Sequence, residues 1–241
     1  MKKSIYALAA LSVLASGSAM AQNAGDWVLG AGWIHLAPQD SSKPLTFTSP
    51  INAVVPGSGS GVDSSNTLGL SAVYFIDSRW AVEGVFGVPP KFNLQGEGSL
   101  APIGKLGEAK QWSPTLLAKY YFGNGNDAFR PFLGVGATYV WYSDVSLTPG
   151  LQGALGGRLG LPPGATSTSA KLDKSFAPVF NLGAAWQLDK HWGVSFSVSY
   201  IPLKTTAKLT TRTLGGTTVA TSEARLKLDP IVTYLSATYR F

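Results

Sequence analysis

His35 and His191 are the only imidazoles in the 241 residues, and there is no cysteine. Acyl transfer needs a Ser, Cys or Thr nucleophile beside a base that activates it. Each His lies beside Trp or aliphatic residues, and neither has a Ser two positions away. The missing Cys excludes disulfides and thiolate metal sites, and two His cannot by themselves supply a histidine metal cluster. Three charged residues interrupt otherwise apolar or small-residue stretches: Glu83, Lys119 and Arg130. Glu83 can pair with Lys119 or with Arg130 inside a core, which stabilises a fold without performing a reaction. These residue types argue against an enzyme, and no cofactor is implied.

The stretches that hold these charges alternate with a period of two. In residues 226–241, Ile231, Thr233, Leu235, Ala237, Tyr239 and Phe241 share one face, and Tyr234, Ser236, Thr238 and Arg240 share the other. Residues 191–203 set Trp192, Val194, Phe196, Val198 and Tyr200 against Gly193, Ser195, Ser197 and Ser199. Such alternation is the signature of strands with one apolar face. The same pattern at 27–36, 67–76, 80–88, 112–122, 129–142 and 176–188 brings the expected count to eight strands. Residues 77–79, 123–127 and 189–190 read as short turns, whereas 37–65, 93–110, 143–174 and 205–223 read as long, irregular loops rich in Gly, Pro, Ser and Thr. Long and short connections alternate, as in an outer-membrane barrel with short turns facing the periplasm. Trp27, Trp80, Phe122, Phe129, Trp141, Trp186, Trp192 and Phe241 fall near strand ends, where interfacial girdles belong.

Composition agrees with a lipid-facing surface. Charged residues make up 13% of the chain, against about 25% in soluble domains. Residues 1–21 have the form of a signal peptide: Lys2 and Lys3, a short apolar run, and Ala19-Met20-Ala21 before Gln22. Without its two Lys, 17 basic residues face 13 acidic ones, a net charge of +4. That scattered excess does not suggest nucleic-acid binding. No later run of 18 apolar residues exists, so a helical membrane protein is excluded. A soluble barrel or sandwich is the bland alternative. It would place the Gly-Ser-Ser-Ser face of 191–203 in water, where Lys and Glu are usual.

Three motifs carry a family resemblance. Residues 114–123, Pro-Thr-Leu-Leu-Ala-Lys-Tyr-Tyr-Phe-Gly, look like the fourth-strand motif of the OmpW/AlkL family of small outer-membrane proteins. Residues 129–136, Phe-Arg-Pro-Phe-Leu-Gly-Val-Gly, resemble the strand that follows it. Leu228-Asp229-Pro230 and the ending Tyr239-Arg240-Phe241 are similar to the family's last strand. The resemblance implies an eight-stranded barrel with a narrow, largely apolar lumen. It also implies passage of small hydrophobic molecules across the outer membrane, with a lateral exit into the bilayer. Similarity to outer-membrane proteins in general implies that the assembly machinery reads Phe241. The loops at 37–65 and 143–174 look longer and richer in Gly and Pro than in compact members.

The expected fold is therefore all-β: an eight-stranded antiparallel transmembrane β-barrel formed by residues 22–241 in a Gram-negative outer membrane. The face assignment turns Val28, Ile34, Leu36, Val73, Phe75, Val85, Leu117, Phe132, Val179, Ile201 and Leu203 inward. An eight-stranded barrel is just wide enough for side chains or one small ligand, so this set either lines a path or plugs it. Ile34, Leu36, Phe75, Val85, Leu117, Phe132, Ile201 and Leu203 are the candidate lumen lining. Pro89 and Pro90 remove ladder donors and mark either a lateral gap or ordinary strand termination. The expected function is a narrow passive channel for small hydrophobic solutes in contact with outer-membrane lipid. The alternative is a structural or surface-interaction barrel with a closed lumen, whose loops bind phage, bacteriocin or host surfaces.

Overall fold

The computed structural model describes residues 22–50, 52–162 and 164–241. The expected signal peptide at 1–21 lies outside the described residues. Eight strands form the barrel: β1 (Trp27–Ala37), β2 (Ser65–Phe75), β3 (Trp80–Gly87), β4 (Thr115–Tyr121), β5 (Phe129–Leu147), β6 (Ser175–Gln187), β7 (Trp192–Tyr200) and β8 (Ile231–Arg240). Each pairs antiparallel with its chain neighbour in this set. β1 pairs with β8 from Val28↔Arg240 to Ala37↔Ile231, which closes the ring and leaves no open barrel edge.

The period-two pattern sets the two faces. In β7, Gly193 and Ser197 are buried while Trp192, Val194 and Phe196 are exposed. Leu116, Val135 and Leu182 are each more than half exposed, as lipid-facing residues of a membrane barrel are. Aromatic pairs mark two levels on the outside. At the end holding the short turns are Trp27–Tyr74, Trp80–Tyr120, Phe129–Trp186 and Trp192–Tyr239. At the other are Phe86–Trp112, Trp112–Trp141 and Tyr139–Phe176. From Phe129 to Tyr139, β5 rises about 33 Å, or about 25 Å along an axis tilted by about 40°, the height of an outer-membrane apolar band.

Two of the three short turns share one local solution. Asp77 Oδ1 accepts from the amides of Arg79 and Trp80 at 2.6 and 2.7 Å. Asp189 Oδ1 accepts from those of His191 and Trp192, both at 2.8 Å. These bonds, that from the Trp amide first, hold both carboxyls below their ordinary range.

Prolines correct three expected boundaries. β4 begins at Thr115, just after Pro114; β7 ends at Tyr200, before Pro202; and β8 begins at Ile231, just after Pro230. None of these prolines can donate to a ladder. Trp112 and Leu226 instead belong to strands outside the barrel, Lys105–Trp112 and Thr218–Lys227.

The long connections are not irregular. Ser58–Val62, Lys91–Gly98 and Lys105–Trp112 extend the barrel sheet above its rim by pairing onto the far half of β5. Thr166–Leu172, Lys204–Thr213, Thr218–Lys227, Ser41–Ser42, Thr46–Ser49 and Ala53–Val54 form a second sheet. Helix α1 (Pro149–Arg158) packs Leu151 and Leu155 into the core between these layers, beside Leu45, Leu100, Leu106 and Leu209. Thr148 caps α1 by accepting from the Leu151 amide, and Pro149 occupies its first turn.

Candidate functional site

The barrel interior divides into two regions. Below, near the short turns, large side chains fill it. Phe75, Tyr121 and Phe132 pack ring to ring with centroids 5.0 Å apart. Arg130, 1% exposed, donates to Gln22 Oε1 and to the carbonyls of Ser78 and Phe122. The Gln22 amide donates to Gly125 O at 2.8 Å and ties this floor to a turn. Glu83 pairs with Lys119, not with Arg130, and the side chains of this pair are 7% and 2% exposed. Lys119 Nζ also lies 3.9 Å from the Phe132 ring centroid, so a ring face shares its charge. The remaining space is a cavity of about 20 Å³, edged by Ser71, Ser195, Ser236 and Thr238 as well as by the charged pair.

Above this floor the lining changes. A cavity of about 70 Å³ is bounded by Ile34, Leu36, Val85, Val140, Ile201, Leu203 and Val232, with Thr67, Gln111, Ser113, Thr115 and Thr138 as its polar members. No residue lines both this cavity and the lower one. Tyr234 sits at the Ile34 level and donates to Gly69 O at 3.3 Å, and a side chain on Gly69 would run into both Ile34 and Tyr234. Leu36, Gln111, Leu203 and Pro230 continue into a second space of about 30 Å³. Leu94, Ala109, Leu172 and Leu226 carry that space into a third, of about 70 Å³, beneath the extracellular sheets. The three cavities form a narrow apolar series from the outer vestibule to mid-barrel.

The candidate lining residues therefore separate. Ile34, Leu36, Val85, Ile201 and Leu203 come together around the upper cavity. Phe75 and Phe132 belong to the plug below, and Leu117 is buried at the level of Glu83, its register partner. The sequence reading missed Phe92, Leu94, Gln111 and Tyr142, which sit on the extensions above the rim. The alternation of 91–98 and 105–112 was the available signal.

The wall of the upper cavity is interrupted at one place. β3 and β4 pair up to Val85↔Thr115. Pairing resumes above, where Gln111 N donates to Pro90 O at 3.0 Å and Lys91 faces Lys110. Between them the two banks bond away from each other. Val88 donates to Leu68 O and its carbonyl accepts from Thr67 Oγ1, both on β2. Pro114 O accepts from Tyr139 N and Thr138 Oγ1 on β5. Pro89, Pro90 and Pro114 have no amide hydrogen with which to bridge the gap. Gly87, Val88 and Pro90 on one bank, and Ser113 and Thr115 on the other, line the cavity.

Both histidines are held by structural contacts. His35 Nδ1 lies 2.9 Å from Asn66 Oδ1 and its ring stacks on Trp33. His191 Nδ1 lies 3.0 Å from Arg240 O and its ring stacks on Tyr239. Among the described residues no three His, Cys, Asp or Glu side chains cluster as metal ligands would.

Comparison with known proteins agrees with this architecture. The chain is 30% identical to outer membrane protein W of Vibrio cholerae over the whole of both chains. It is 27% identical to outer membrane protein AlkL of Ectopseudomonas oleovorans over 91% of this chain and 84% of that one. The crystal structure of the outer membrane protein OprG from Pseudomonas aeruginosa superposes with a TM-score of 0.78 at 30% identity, covering 92% of this chain and 98% of that one. The model of the OmpW family matches residues 23–241, and the chain belongs to that family of outer-membrane β-barrels.

Proposed function

We propose that this barrel is a passive channel for small hydrophobic molecules, which enter through the outer vestibule and leave sideways into the bilayer. The observation that carries this reading is the unpaired stretch between Val85–Thr115 and Pro90–Gln111, with the upper cavity directly behind it. An apolar solute gains about 25 cal/mol for each Å² it removes from water, so an apolar series of cavities favours it over an ion. Straight passage to the periplasm would require crossing Glu83–Lys119 and the aromatic plug, and exit at mid-barrel avoids both. The lipid outside the gap accepts the solute without returning it to water. The cavities are small, so passage needs side-chain movement at Leu36 and Leu203, where two of them meet. No step in this reading uses a nucleophile, so the role is transport and not catalysis. In this account residues 1–21 direct export and are removed.

Cells with and without the protein test the reading. A labelled medium-chain hydrocarbon should enter faster when the protein is present, and a small charged solute should not. Equal hydrocarbon entry in both would defeat it.

A surface-receptor role draws on a different observation, the six-strand extracellular sheet. Such a role would be lost when residues 204–227 are shortened and kept when the upper lumen is filled.

A further inference from the structure

The outward side of the extracellular sheet carries a feature that solute passage does not use. Where this sheet meets the barrel, a cleft of about 620 Å³ is lined by Lys43, Lys174, Lys204, Arg225 and Lys227, against the single carboxylate of Asp173. Lys227 is paired with Asp229 at 3.0 Å, and Asp173 with Lys208 at 2.9 Å. Among the described residues, Lys43, Lys174, Lys204 and Arg225 have no ion-pair partner. The register concentrates the positive charge further, because Lys204 and Lys227 stand directly opposite each other across their strand pair. Asp229 answers Lys227, so the uncompensated charge of this cross-strand pair is that of Lys204.

The height of the cleft on the molecule identifies the anion. Lys174 immediately precedes β6, Lys204 follows the end of β7, and Lys227 precedes the start of β8. The cleft therefore sits on the barrel rim. Directly below it, Phe176 at the start of β6, Tyr200 at the end of β7 and Ile231 at the start of β8 are exposed on the lipid-facing side. A ligand that fits both features has a negative head and an apolar tail. Basic side chains at this level attract anionic headgroups, and an Arg guanidinium meets a phosphate with two parallel hydrogen bonds. We propose that the cleft binds the phosphorylated headgroup of an outer-leaflet lipid, whose acyl chains lie over Phe176, Tyr200 and Ile231. Inorganic phosphate offers the same charge but has nothing to place on that apolar surface.

The test uses the full chain in nanodiscs of phosphatidylcholine doped with lipid A. Native mass spectrometry then counts the lipid A that stays bound on release. The wild-type chain should retain lipid A and should not retain its dephosphorylated form. The variant K43Q/K174Q/K204Q/R225Q should retain it at least about tenfold less, because it lacks four of the basic side chains that attract an anionic headgroup. All four side chains are exposed, and circular dichroism and the heat-induced gel shift of the barrel would verify that the variant folds. Equal retention by variant and wild type, or equal retention of the dephosphorylated lipid, would overturn the proposal. Displacement of lipid A by an equal concentration of inorganic phosphate would also overturn it, because the cleft would then be a site for free anions.

Discussion

Along β1 the inward side chains are Val28 and Gly30 in the lower half and Ile34 and Leu36 in the upper, and the strands facing them change with them. Opposite the lower pair are Glu83, Lys119, Arg130 and three packed rings; opposite the upper pair are Val85, Ile201, Leu203 and Val232. The same eight strands, at the same ring size, thus hold a filled polar floor and a narrow apolar cavity. Strand number fixes only how wide the interior is, and the inward residue at each level decides whether it is occupied. The lower half is closed by packed rings and a paired charge, while the upper half keeps unfilled space.

Substitutions can break this contrast, and the largest effect is expected in the floor. Glu83→Gln leaves the Lys119 charge buried without its partner, which should cost about 3–5 kcal/mol in urea unfolding from lipid vesicles. Glu83→Leu with Lys119→Met removes both charges and should recover most of that loss. If Glu83→Gln were neutral, the pair would not be holding the floor. Next, Val85→Trp should fill the upper cavity and bring hydrocarbon uptake down to that of cells lacking the protein. Overpacking would cost it about 1–3 kcal/mol, against the about 5–15 kcal/mol that hold a typical folded domain. Val85 is a better probe than Gly136, where any side chain would strike the Leu116 carbonyl of the adjacent strand.

A smaller effect is expected at the gap. Pro89→Val with Pro90→Val restores two backbone donors at the gap, and hydrocarbon uptake should fall a few-fold with the fold intact. Unchanged uptake would place the exit elsewhere. The smallest effect concerns the extracellular extension. Glu108 accepts from Lys105 and Lys91 at 2.7 and 2.8 Å, and these bonds lower its carboxyl from 4.5 to about 2. A depressed carboxyl contributes stability above its unfolded value and loses it as pH falls through the folded one. Between pH 4.5 and about 2 the wild-type chain should therefore lose thermal stability faster than Glu108→Gln. Parallel melting curves for the two proteins across that window would remove the pair from the account.

The barrel was legible in the sequence because a period of two survives in every spanning strand, and burial in β1 and β4 follows it residue by residue. The extracellular layers were not, because their composition resembles loops. Residues 204–213 are dominated by Thr and Lys, yet they bury Thr205, Ala207, Leu209 and Thr211 in strict alternation. Helix α1 contains Gly150, Gly153, Gly156 and Gly157. At about 1 kcal/mol each these oppose a helix, and tertiary packing of Leu151 and Leu155 overrides them. For the site, facing could be read but height could not. Period two turns Phe75 and Val85 inward alike, and only the register shows that one joins the plug and the other the cavity. The sequence also left the partner of Glu83 open, since choosing Lys119 over Arg130 depends on how β3 and β4 pair.

The most direct test is to find where a solute sits. A medium-chain hydrocarbon carrying a photoreactive diazirine would be added to the protein in lipid vesicles, crosslinked by light and mapped by mass spectrometry. The account predicts labels on Leu36, Val85 and Leu203 and on the two banks of the gap, at Val88 and Ser113. Labels on Phe75, Tyr121 or Gln22 would show that solute crosses the floor and would contradict it.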